Sequence, residues 1–251
     1  MKKTQFFAVL FIVVISLFFV ATSTVSFSAE SPKFTDADAK ILKTGDNNAV
    51  ADVLYKLQDI YDSQGKQGLK PAIPALIESA NRELKLPEDK RWNIVDIVKI
   101  MSLTGDERTK PILLTIMSSM LGGGNPYTAK GFVAIGPSVV PTIVDSLKSL
   151  SNDTKGRAAV TLYKMTQFDE TGKLFTQQDR DKIKKLLADN LSSTDANVRI
   201  YMVVALRAFG DTSVIPRLEQ IKTKDAHKDS GGTYQVRIEA AETLKQLKTK
   251  K

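Results

Sequence analysis

The sequence predicts an all-α protein: a right-handed α-solenoid of about five helical hairpins plus a C-terminal capping helix. Three observations carry that expectation. First, one phrase recurs: an apolar helix, a Gly turn, then an aliphatic-Pro step into another helix. It reads Met101-Ser102-Leu103-Thr104-Gly105-Asp106 before Lys110-Pro111-Ile112-Leu113, and Val133-Ala134-Ile135-Gly136-Pro137 before Val140-Pro141-Thr142-Ile143. It returns as Leu206-Arg207-Ala208-Phe209-Gly210-Asp211 before Ile215-Pro216-Arg217-Leu218. Second, the entries into the second helices, Pro74, Pro111, Pro141, Ile183 and Pro216, are 37, 30, 42 and 33 residues apart. Those gaps suit stacked helical repeats. Third, the apolar residues keep a 3.6-residue period, with no strand-like alternation competing.

The elements follow in order. Thr35-x-x-Asp38 resembles a capping box and opens a lead-in helix that ends near Gly45. Ala49 to Tyr61 carries Val50, Val53, Leu54, Leu57, Ile60 and Tyr61 on one face, and Gln64–Gly68 breaks it. Pro71 and Pro74 start the next helix, where a missing N–H costs least, and Pro87 ends it. The second hairpin pairs Trp92–Leu103 with Pro111–Leu121; its Ile94, Val95, Ile97, Val98 and Met101 are apolar enough for burial on two sides. Gly122-Gly123-Gly124-Asn125-Pro126 is the clearest break, and the third hairpin runs from Tyr127 to Leu150. The fourth starts near Gly156 and has a longer connection, Phe168 to Phe175, before Thr176-x-x-Asp179 caps its second helix. The fifth is Val198–Phe209 with Val214–Ile221, and Tyr234–Leu247 closes the array as half a repeat.

At Asp195-Ala196-Asn197-Val198-Arg199, at the Gly-Asp turns and at the aliphatic-Pro entries, the chain resembles the HEAT-repeat superfamily, in particular the short HEAT-like repeats of the phycobilisome-lyase type. The resemblance spans residues 49–247 and is strongest over 127–150 and 195–222; the fourth repeat lacks the Gly turn and the Pro. It implies stacked hairpins in which a turn Asp and an Arg of the first helix form a ladder between repeats. Asp106, Arg199 and Asp211 are expected in that structural role.

Met1-Lys2-Lys3, the apolar run Phe6–Val20 and the small residues Ala21–Ser28 read as a secretory signal, cut before Ala29. Residues 1–28 are thus expected to leave, residues 29–48 to form a spacer and lead-in helix, and residues 248–251 a basic tail after the repeats. The expected location is periplasmic or extracellular. A retained membrane anchor is the other reading, although the run is shorter than the ~20 residues a spanning helix needs. The chain has no Cys, which excludes disulfides, thiolate zinc sites and a Cys nucleophile. Removing Lys2 and Lys3 lowers the net charge from +8 to +6, and residues 222–251 hold +4 of that. This is a Lys-rich end rather than a nucleic-acid stripe, and it implies at most weak contact with anionic membrane or polymer.

Chemistry-bearing groups are sparse. His227, the single histidine, sits in Lys224-Asp225-Ala226-His227-Lys228-Asp229 and reads as a solvated loop rather than a metal ligand. Gly122-Gly123-Gly124 lacks the Gly-Lys-Ser/Thr ending of a phosphate loop, and Asp169-Glu170-Thr171-Gly172 fails calcium-loop spacing. Asn152-Asp153-Thr154 and Asn190-Leu191-Ser192 are glycosylation sequons. Trp92 and Tyr127 each open a first helix, where packing against the preceding repeat is the expectation and partner recognition the competing reading.

With no catalytic constellation and no implied cofactor or metal, the expected function is that of an exported, non-enzymatic scaffold for a protein or peptide. Second helices would line its concave surface, with Lys110, Lys148, Lys184, Arg217 and Lys222 as partner-binding candidates. Two readings compete: a lyase or chaperone acting on a chromophore-bearing protein, by resemblance, and a structural envelope protein.

Overall fold

The computed structural model describes residues 31–119 and 125–249, so the expected secretory signal, the glycine break with Met120 and Leu121, and the terminal Lys250 and Lys251 lie outside the described residues. The described chain is all-helical. Helix α1 (Asp36–Thr44) opens on a complete capping box, with the Thr35 and Asp38 side chains each accepting from the other's backbone N–H. Helix α2 (Asn47–Leu69) is capped by Asp46, which accepts from the Ala49 amide at 2.9 Å. The expected break at Gln64–Gly68 is narrower than the sequence suggests. Only Gly65 leaves the helical region, at φ 63°, and the helix resumes to carry Leu69 into the core. A single glycine absorbs the kink because it alone enters that region without a Cβ clash.

Helices α3 (Ile73–Leu84), α5 (Lys110–Ser118), α7 (Val140–Ser146) and α11 (Ile215–Lys224) share one entrance. Each follows a single 3-10 turn (70–72, 107–109, 137–139 and 212–214) and has Pro in its first turn. Pro fixes φ where the amide would have no intrahelical acceptor. The helices between them are α4 (Ile94–Thr104), α6 (Pro126–Ile135), α8 (Asn152–Phe168) and α10 (Ala196–Phe209). The fourth repeat departs as its sequence does: α9 (Gln177–Asn190) has neither Pro nor 3-10 turn and relies on the Thr176/Asp179 capping box. Helix α12 (Gln235–Thr249) comes last.

The even helices pack in series, α2 on α4, α4 on α6, α6 on α8, α8 on α10 and α10 on α12. Among the odd helices α1 meets α3 as closely as α2 meets α4, whereas α3 with α5 and α7 with α9 meet sparsely. The close pairs across the layers are α1–α2, α3–α4, α5–α6, α5–α8, α7–α8, α9–α10 and α11–α12. This shifts the frame of the expected hairpins. Helices joined through the Gly and Pro turns approach each other less closely than each odd helix approaches the even helix after it. The turn phrase records where the chain reverses, whereas packing is set by which apolar stripes fit together. The lead-in helix and the closing helix are accordingly full packing partners, and α12 buries Val236, Ala240, Leu244 and Leu247 against α10 and α11. One apolar cluster runs from Leu42 to Leu247, with Phe132 wholly buried near its middle.

Candidate functional site

The five basic candidates all lie on or beside odd helices, and each already has a partner inside the protein. Lys110 Nζ donates to the Ser138 carbonyl at 3.0 Å, and Lys148 to Asp145 at 2.9 Å. Lys184 pairs with Asp211 at 2.6 Å, and Arg217 donates to Gln220 Oε1 and Ser192 Oγ at 2.7 and 2.9 Å. Lys222 meets Glu219 at 3.5 Å. No hydrogen bond or ion pair among the described residues joins one candidate to another. Lys184 and Ser213 hold the Asp211 carboxyl down to about 2, and Asp211 raises the Lys184 ammonium in turn.

These contacts rewrite the expected ladder. Asp106 stays within its own turn, accepting from the Arg108 amide at 2.9 Å and pairing with the Arg108 guanidinium. Asp211 does bridge neighbouring repeats, but to Lys184 of an odd helix rather than to an Arg of an even one. Other steps use different chemistry: Arg82 donates to the Lys43 carbonyl at 2.8 Å, and Ser138 bonds Glu107. The turns approach so closely that each step finds its own polar pair. A Cβ on Gly105 (φ 61°) would sit 2.7 Å from the Ala134 carbonyl oxygen.

Arg199 finds its acid elsewhere, at Asp225, just past the end of α11. The guanidinium is bidentate, with Nε to Oδ2 at 2.7 Å and Nη2 to Oδ1 at 3.0 Å. Nη1 donates to the Ser193 and Thr194 carbonyls at 2.8 and 3.1 Å. The carboxylate side chain is 6% exposed. Burial pushes Asp225 up, but the Arg199 guanidinium and the His227 amide outweigh it and hold the carboxyl below its usual range. Arg237 donates to the Asp225 carbonyl at 2.6 Å and stacks on the Tyr234 ring, 3.9 Å from its centroid. Nothing in the Lys-Asp-Ala-His segment marks this acid, because its partner is 26 residues earlier.

An open cleft of about 250 Å³ lies beside this pair, lined by Ser192, Arg199, Arg217, Lys224 and Asp225 among others. Arg199 is saturated by acceptors, so Arg217 and Lys224 are the cations that reach solvent there. His227 presents only its backbone amide to Asp225, at 3.0 Å. Among the described residues no three His, Asp or Glu side chains converge as a metal site, and no helix is long and apolar enough to cross a membrane. The Asp169 carboxylate closes its own loop, accepting from Thr171 Oγ1 at 2.8 Å and the Leu174 amide at 2.9 Å. Of the two sequons, Asn152 is exposed, whereas the Asn190 amide is half-buried and donates to the Leu186 carbonyl at 2.8 Å.

The two aromatics that open even helices behave differently. Tyr127 packs against the core, as expected, with the Lys130 ammonium 5.8 Å from its ring. Trp92 does not pack away: it is 70% exposed. Residue 92 precedes the first residue of α4, so the ring lies outside the helix and the apolar stripe begins behind it, at Ile94. Tyr55 on α2 is 73% exposed and was not singled out from the sequence. Its position, off the apolar stripe between Asp52 and Asp59, is the signal that could have found it.

No family model, curated protein or solved structure matches the chain. The class that the coordinates themselves define is an all-helical protein of serially packed helices.

Proposed function

We propose that this chain is an exported, right-handed α-solenoid of HEAT-like repeats, acting as a non-enzymatic scaffold for a protein or peptide. The observation that carries the reading is the serial packing of α2, α4, α6, α8, α10 and α12, each on the next in line. A molecule in which each unit meets only its neighbours has an extended surface for its size, and such surfaces suit binding better than they suit enclosing a reaction. The shared Pro entrances of α3, α5, α7 and α11 support the repeat reading, because they place the same local chemistry at each step. Lys110, Lys148, Lys184, Arg217 and Lys222 remain the proposed lining of the odd-helix face, held in place by the internal pairs that orient them.

The reading is tested by recovering partners from envelope extracts with the wild-type chain and with a variant in which all five cations are reversed to Glu. Loss of a specific partner is the expected result; unchanged recovery removes the odd-helix face from the reading. Export is tested separately, by locating the full-length chain and one begun at Ala29 in cell fractions. The full-length chain should appear outside the cytoplasm and the shortened one inside it.

A further inference from the structure

A second surface lies on the opposite row of helices. Val95, Asp96 and Lys99 share the outer side of the first turns of α4, and Trp92 stands two residues before the helix begins. Ala51, Tyr55 and Gln58 share one face of α2 at three- and four-residue spacing. The starts of these two helices are held level by Asn93, whose side-chain amide donates to Asn47 Oδ1 at 3.4 Å. Tyr55 and Gln58 share a small, shallow cleft of about 30 Å³ with Asp96 and Lys99, floored by Leu54 and Ile100. Trp92, Tyr55 and Val95 are left to solvent at 70, 73 and 43% exposure. Single exposed apolar residues need no explanation, but Tyr55 lines the cleft and Trp92 stands just before α4, and exposed Tyr and Trp are the residue types that anchor interfaces.

The charge around them identifies the occupant. Among the described residues no ion pair reaches the carboxylates of Asp52, Asp59 or Asp96, and Lys99 is the one cation lining the cleft. This local excess of negative charge sits on a chain whose net charge is +8. On α2 itself the Lys56 ammonium is taken up by Asp38 at 2.7 Å. Two open aromatic faces beside unpaired carboxylates favour guanidinium or ammonium groups through cation–π contact and charge together.

We propose that the α2–α4 face docks a basic segment of a partner protein, with Arg or Lys side chains over Trp92 and Tyr55 and against Asp52 and Asp96. The proposal rests on the scaffold reading and adds the chemistry of the partner and the place where it binds. Anionic lipid and nucleic acid are repelled by the same carboxylates.

Trp92 is the chain's single tryptophan, so its emission reports on this face alone. The full chain is titrated with three synthetic peptides of equal length, one bearing Arg, one Glu and one Gln at alternate positions. The Arg peptide should shift the emission to shorter wavelength and shield Trp92 from acrylamide, less so as salt rises. The Glu and Gln peptides should do neither. Tyr55→Ala and Asp96→Asn should each weaken the Arg peptide by roughly threefold, the scale of an exposed cation–π or charge contact. An equal response to all three peptides, or none, overturns the proposal. Crosslinking in the native host separates it from the scaffold reading. Partner capture that survives the Asp52→Asn, Asp96→Asn double variant moves the partner off this face while leaving the scaffold intact. Absence of any crosslinked partner overturns both.

Discussion

The α10–α12 end and the α2–α4 face are built from the same kind of helix, yet they treat polar groups in opposite ways. Near the C-terminus, Arg199 and Asp225 are turned inward, bidentate and nearly closed to water, with Arg237 fixing the same loop from its other side. Arg207 likewise bonds Thr243 and Glu239 across α10 and α12. Near the N-terminus, Asp52, Asp59 and Asp96 stand on the surface beside two exposed aromatics. In the first region charge locks helices to one another. In the second the helices are held by apolar packing, and charge is left over for something outside the chain. The chain thus separates residues that hold its helices together from residues it leaves on the surface.

Mutations test that contrast, and the largest effect belongs at the locked end. Arg199→Ala leaves a nearly buried carboxylate without its partner and should cost about 3 kcal/mol of unfolding free energy in a denaturant melt. A loss under 1 kcal/mol would show that the pair is no lock. Gly105→Ala comes next, at about 2 kcal/mol, because it combines a left-handed backbone with a Cβ 2.7 Å from the Ala134 carbonyl. Gly65→Ala shares the positive φ but meets nothing within 4 Å, so it should cost only about 1 kcal/mol. The Lys184–Asp211 pair is half open to solvent, and Lys184→Ala should cost under about 1 kcal/mol, shrinking with salt. Trp92→Ala should change stability by less than about 0.5 kcal/mol while weakening the Arg peptide roughly threefold, read by calorimetry because the variant has no tryptophan emission.

Acid sharpens the same comparison. The Asp211 and Asp225 carboxyls are held below their unfolded value of 3.8, Asp211 at about 2. Their stabilisation is therefore complete above pH 4 or so, and is lost as pH falls through the folded values. Melts followed from pH 5 to pH 2 should show a declining midpoint that Asp225→Asn, already weakened, follows less steeply.

Much of the helical order could be read from residue spacing, since apolar periodicity, capping residues and Pro entrances act locally. Thr176 and Asp179 were identifiable as a cap because both partners lie within one turn. Asp225 was not, because its guanidinium arrives from another helix and no local pattern requires it. Trp92 misled for a related reason. A large apolar side chain at a helix start reads as buried, and only the placement of α2 beside α4 shows that nothing covers it. The pairing of α11 with α12, closer than that of the helices joined by the Gly turns, also depends on surfaces that meet only after folding.

Serial packing has a mechanical consequence. Along the even row each helix meets only its neighbours in the row, so tension applied at the two ends would pass through those interfaces in turn rather than be shared among them. Such a chain should lengthen stepwise, yielding where the junctions are weakest, and refold quickly because partners are near in sequence. The Arg199–Asp225 clasp would then set the order of events, keeping the α10–α12 end closed while other junctions part.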